Sequence, residues 1–139
     1  MELKIHHIGI VVDDIDRAKE VYEKVFDLQI KGRCMVPEFH AECAFIATGN
    51  AYIELVKPTA DDGLMKFLRK HGSGTLHHIC YIVDDMETGW RLMRERGLRS
   101  VTGEPKATPT FGKAMFFHPK DTGNVLIEFV TKAACPLPK

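Results

Sequence analysis

The chain has 139 residues, of which 45% are hydrophobic, and its 19 basic residues balance 19 acidic ones. That composition supports one core in a soluble globular chain, and the even charge advertises no basic face for nucleic acid and no acidic face for a basic partner. No segment approaches membrane-spanning length, and Asp13 and Asp14 interrupt an apolar start that no charged leader precedes, so a cytoplasmic protein without a membrane partner is expected.

Residues 5–12 form an apolar run ending in acid, the pattern of a buried strand that enters a helix capped at Asp13 or Asp14. Ile15, Ala18, Val21, Tyr22, Val25 and Phe26 then recur at helical spacing and predict a helix covering one sheet face. A weaker strand over 27–36 is broken at Gly32 and closed by Pro37; strands over 42–47 and 51–56 flank the turn Thr48-Gly49-Asn50. Module 1, about 1–57, is therefore a βαβββ unit. The linker, 58–75, carries Leu64, Met65, Phe67 and Leu68 as a short helix ahead of the flexible Gly72-Ser73-Gly74. Module 2, about 76–132, repeats the plan with a strand over 77–83 and a helix over about 86–96 stopped by Gly97. A strand over 98–102, a loop with Pro105 and Pro109, and strands over 114–118 and 125–130 complete it. The tail, 133–139, contains Pro136 and Pro138 and is expected to trail over the surface of this single domain. Cys34, Cys43, Cys80 and Cys135 have no metal-ligand or framework spacing and are expected to pack as small hydrophobes.

The modules are copies of one unit. Residues 122–130, Thr-Gly-Asn-Val-Leu-Ile-Glu-Phe-Val, match residues 48–56, Thr-Gly-Asn-Ala-Tyr-Ile-Glu-Leu-Val, at six of nine positions with an offset of 74. Residues 5–14 and 76–85 share His-His-Ile and Val-Asp-Asp at an offset of 71. Each half thus carries one histidine strand and one glutamate strand.

Two histidines and two glutamates at twinned positions form a candidate metal-ligand set, because burying two carboxylates beside apolar neighbours without a cation is costly. Imidazole nitrogen with carboxylate oxygen suits one divalent ion among Co, Ni, Mn, Fe and Zn. Strand alternation places His7 with Gly9 on one face and His78 with Cys80 on the equivalent face, leaving room for an ion. The faces carrying His6 and His77 are bulkier and suit a covering helix, so the set is His7, Glu54, His78 and Glu128.

This duplication, with its histidine strands and Ile-Glu strands, resembles the vicinal oxygen chelate superfamily of glyoxalases, bleomycin resistance proteins and dioxygenases over nearly the whole chain. The resemblance implies an α+β fold in which two tandem βαβββ modules form an open cup-shaped mixed sheet with helices outside. Residues 67–79, Phe-Leu-Arg-Lys-His-Gly-Ser-Gly-Thr-Leu-His-His-Ile, together with 54–58, Glu-Leu-Val-Lys-Pro, look like the methylmalonyl-CoA epimerase family within it. So do Glu104-Pro105-Lys106 and His118-Pro119-Lys120-Asp121-Thr122-Gly123. The family's ligand pattern falls on His7, Glu54, His78 and Glu128, favours Co, and offers a proposed acid/base pair at Glu42 and Glu128. It also suggests a homodimer acting on an acyl-CoA, for whose phosphates Lys106, Lys113 and Lys120 are cationic candidates. Departures lie at Thr108-Pro109-Thr110-Phe111-Gly112, where relatives tend to carry a glycine-rich loop, and at Asn124, where they carry a second glycine.

The reaction the resemblance implies is epimerisation of methylmalonyl-CoA, or a similar 2-substituted malonyl thioester, by α-proton abstraction and reprotonation through a metal-chelated enolate. Four protein ligands on an octahedral ion leave two adjacent positions for a chelating substrate, which disfavours ring-cleaving dioxygenases, whose site needs three. The alternative enzyme is a glyoxalase I-like isomerase of a glutathione hemithioacetal. The alternative from another class is a metal-free, small-molecule-binding resistance protein, which the complete ligand set argues against.

Overall fold

A computed structural model describes residues 1–132; the tail expected over 133–139, and Cys135 with it, lies outside the described residues. Both Val-Asp-Asp twins start a helix on their second aspartate. Strand β1 (Lys4–Val11) leads into α1 (Ile15–Phe26), where the Asp14 carboxylate accepts the Arg17 amide. Strand β5 (Thr75–Ile82) leads into α3 (Met86–Glu95), where Asp85 accepts the amides of Glu87 and Thr88. A carboxylate there satisfies amides that lack intrahelical partners and sits at the positive end of the helix dipole. The α3 helix stops where Gly97, at φ 86, turns left-handed: its amide bonds Arg94, the Leu98 amide bonds Met93, and Leu98 packs on the cluster containing Met93.

The Thr-Gly-Asn twins act alike as well. Between β3 (Ala41–Ala47) and β4 (Tyr52–Pro58) the Thr48 hydroxyl donates to the Ala51 carbonyl at 2.8 Å, and before β8 (Leu126–Val130) the Thr122 hydroxyl donates to Val125. Asn124, at φ 70, takes the left-handed conformation that a glycine would adopt freely and that asparagine tolerates. The linker helix α2 (Gly63–His71) is capped by Asp62 and ends in Arg69, Lys70 and His71, which face the negative end of its dipole.

The remaining strands are β2 (Ile30–Val36), β6 (Lys106–Thr108) and β7 (Gly112–Phe117). All eight lie in one mixed sheet of order β2-β3-β4-β1-β5-β8-β7-β6. The β2 register shifts between Ile30 and Gly32, so the glycine break is a bulge within a strand that pairs along its length. The strand expected over 98–102 does not form. Leu98 is drawn into the core, Arg99 is held by Asp121, and only Ser100 bridges to Phe117. The edge of β7 is taken instead by three residues, 106–108, from the expected Pro105–Pro109 loop. Pro105 stands just ahead of that short edge strand, where a missing amide costs no ladder bond.

The described chain divides into two compact units, residues 1–7 with 78–132, and residues 8–77. In the first, Val83, Met86, Met93, Met115, Phe117 and Phe129 form the core beneath α3. In the second, Val12, Ile15, Ala44, Ile46 and Leu55 form the core beneath α1. No helix of the described residues is long and apolar enough to cross a membrane.

Candidate metal centre and active site

In the first unit the odd-numbered residues Tyr81, Met115, Phe117, Ile127 and Phe129 belong to the core under α3. Alternation turns His78, Cys80, Phe116 and Glu128 to the other face, with Cys80 beside Glu128 in the parallel β5–β8 pair and Phe116 beside it in β7–β8. His7, His78 and Glu128 are buried, at 1%, 5% and 2% exposure. Their polar ends converge: His7 Nε2 lies 3.0 Å from His78 Nε2, and the two nitrogens lie 3.6 and 3.5 Å from Glu128 Oε1.

Donors about 2.1 Å from one ion stand about 3.0 Å apart at a right angle and about 3.4 Å apart at the tetrahedral angle. The observed triangle has those spacings, and its two nitrogens and carboxylate oxygen fit one divalent cation. Without a cation, one imidazole must donate to the other while the carboxylate faces both in an apolar surround. The ring of Phe111 lies 6.2 Å from that of His7, and Phe116 lies 6.3 Å from His78, so the field inside is little screened by water.

On its far side, His7 Nδ1 meets His6 Nδ1 at 2.7 Å. His6 is fully buried and fixes the ring that presents Nε2 to the triangle. His77 plays no such part: its ring packs edge-on against Phe67 of α2 at 4.8 Å. Cys80, expected only to fill space, brings Sγ within 4.8 Å of the ligand atoms of His7 and Glu128.

In the second unit Glu54 lies opposite Phe45 on adjacent strands and is 2% exposed. The same alternation separates it from Leu55, Ala44 and Ile46, which pack under α1. Glu42 lies opposite Lys57 and therefore on the α1 side. There Arg33 binds it at 2.6 Å and binds Asp16 of α1 at 2.8 Å, and the two carboxylates raise the Arg33 pKa. The structure thus sets Glu42 in an ion cluster on the helix side, apart from the face of Glu54.

A different carboxylate lies at the turn of the same hairpin. Glu38, in the single 3-10 turn Pro37–Phe39 between β2 and β3, keeps Oε1 buried without a hydrogen-bond partner. Cys34 pairs with Cys43 and so faces the Glu54 side; burial, then Glu54, then Glu38 push its thiol pKa up, which places both carboxylates near that sulfur. Counting back from the 48–51 turn pairs residue 54 with 45 and residue 42 with 57, so the sequence already sets Glu42 on the opposite parity from Glu54, while Glu38, in its 3-10 turn, lies outside that alternation.

Of the three lysines, Lys113 turns to the α3 side and meets Glu87 at 3.4 Å. Lys106 lies opposite Ala114, on the parity of Glu128, and Lys120 is exposed in the turn Pro119–Asp121.

Residues 6–117 match the family model described as the glyoxalase/bleomycin resistance protein/dioxygenase superfamily. The chain is 31% identical over 126 residues to the mitochondrial methylmalonyl-CoA epimerase of Homo sapiens, covering 90% of this chain and 72% of that one. It is 31% identical over 127 residues to the ethylmalonyl-CoA/methylmalonyl-CoA epimerase of Cereibacter sphaeroides, covering 90% and 95%. A solved variant of Streptomyces coelicolor methylmalonyl-CoA epimerase, in complex with 2-nitronate-propionyl-CoA, superposes with a TM-score of 0.85 at 31% identity, covering 96% of this chain and all of that one. With a family model spanning most of its length and a converging imidazole–carboxylate centre, the chain belongs to the glyoxalase/bleomycin resistance protein/dioxygenase superfamily.

Proposed function

We propose that this protein is a metal-dependent epimerase of methylmalonyl-CoA or a similar 2-substituted malonyl thioester. The observation that carries the reading is the buried His7–His78–Glu128 triangle, in a chain similar along nearly its whole length to such epimerases. Glu54 is proposed as the fourth ligand, supported by its burial and by its place as the twin of Glu128. A bound divalent ion, with Co favoured by the family resemblance, supplies electrostatic stabilisation to the negative charge that develops on the thioester oxygen.

The proton chemistry belongs to carboxylates. Glu38 is a better base than Glu42, because its buried oxygen is an acceptor without a donor, whereas the Glu42 carboxylate is held by Arg33. In this reading Glu38 takes the α-proton on one face, the C–H electron pair becomes part of the enolate, and Glu128 delivers a proton on the other face. The reverse sequence serves the other epimer. Phe111 and Phe116 line the imidazoles and exclude water, which keeps the charged groups strongly coupled. Lys106 is the lysine we assign to the acyl-CoA phosphates, being on the parity of Glu128. A cytoplasmic homodimer completes the proposal, on the family resemblance alone.

The test assays metal-loaded protein on racemic methylmalonyl-CoA and on the methylglyoxal–glutathione adduct side by side. Epimerisation of the first with no turnover of the second is expected. Turnover of the adduct alone would replace this reading with a glyoxalase-type isomerase.

A further inference from the structure

Cys34 on β2 and Cys43 on β3 stand directly opposite one another in an antiparallel pair. Such pairs have Cα separations of about 4.5 or 5.5 Å, inside the span of about 4.4–6.8 Å that a disulfide bridges. Cys34 is half-buried on an edge strand, reachable by a small oxidant, while Cys43 is buried behind it. The pair flanks the hairpin end that carries Glu38.

We propose that Cys34 and Cys43 form a reversible disulfide that tightens the β2–β3 hairpin and moves Glu38 out of its working position. Opposed strand residues hold their Cβ atoms about 4.5–5.5 Å apart, and a disulfide needs about 3.5–4.5 Å, so closure draws the strands together by about 1 Å. A displacement of that size at a reacting group slows an enzyme severely.

The oxidant is a low-molecular-weight disulfide such as glutathione disulfide. The Cys34 thiolate attacks one of its sulfurs and expels one glutathione thiolate. The Cys43 thiolate then attacks the Cys34 sulfur and expels the second. Two protein thiols are oxidised, one disulfide is reduced to two thiols, and the protons pass to the departing thiolates. Burial of Cys34 keeps its thiolate fraction low, so its attack on the oxidant is slow.

The experiment treats the full-length protein with glutathione disulfide, alkylates the remaining thiols, and reads intact mass, peptide map and epimerase turnover. Expected are a loss of about 2 Da before alkylation, alkylation at two cysteines where the reduced chain takes up four, a peptide joining Cys34 to Cys43, and reversal by dithiothreitol. Cys34→Ala and Cys43→Ser should each abolish the internal bond, and Cys135→Ser should not. Turnover should fall by about tenfold or more on closure and return on reduction. A stable glutathione adduct at Cys34 without the internal bond, or a bond to another cysteine, would overturn the proposal. The loss of turnover rests on Glu38 being the base; the mass readout does not. Full closure with unchanged turnover would overturn the link to Glu38, and Glu38→Gln tests that residue separately.

Discussion

His6 Nδ1 lies 2.7 Å from His7 Nδ1, so the imidazole that enters the donor triangle is oriented by its immediate neighbour in the chain. Only one of those nitrogens carries the shared proton, and the geometry leaves His7 Nε2 facing Glu128. His7→Ala is expected to abolish stoichiometric metal binding. His6→Ala should weaken it by about 10–100-fold while leaving the donors in place. Isothermal titration with Co²⁺ reads both, and equal losses would show that His6 is itself a ligand.

The two carboxylates of the β2–β3 hairpin have opposite fates. Glu38→Gln should lower exchange of the substrate α-proton into heavy water by about 10²–10⁴-fold. Glu42→Gln should leave exchange near normal, because the residue it removes pairs with Arg33 on the α1 side. If Glu42→Gln is the dead variant, the face assignment is wrong.

Asp121 holds both the Arg99 backbone amide and its guanidinium, which draw its pKa from 3.8 down to about 2. A lowered carboxylate pKa stabilises the folded state above the unfolded value, and that contribution disappears as the pH falls through the folded one. The thermal midpoints of the wild type and Asp121→Asn should therefore differ at neutral pH and converge between about pH 4 and about pH 2. A gap independent of pH would remove ionisation from the explanation.

Gly112 adopts φ 69, and a Cβ there would stand 2.6 Å from Thr131 Oγ1, which accepts the Lys113 amide. Gly112→Ala should cost about 2 kcal/mol through left-handed strain and the lost bond. Urea unfolding with an unchanged m-value would read it, and a neutral midpoint would contradict the crowding.

Much of this was legible because duplicated residues do duplicated work. Asp14 and Asp85 cap corresponding helices, Thr48 and Thr122 close corresponding turns, and His7 and His78 lie on the parity that small neighbours indicated. The illegible parts are those where one copy departs from the other. Residues 98–102 carry strand-forming side chains, but an ion pair from Asp121 and the pull of the core claim them first, leaving the β7 edge to 106–108. Glu38 has no acidic twin and sits in a 3-10 turn, so neither repetition nor periodicity marks it. Its environment is a property of the folded hairpin.

The first strand is made before every other described here, yet residues 1–7 cluster with residues 78–132 and not with the chain that follows them. During synthesis His7 therefore waits, and its two neighbours in the triangle arrive late, Glu128 last of all. Long-range closure of this kind slows folding. A ribosome-held chain lacking β8 should capture no ion, so metal uptake would report the emergence of that strand.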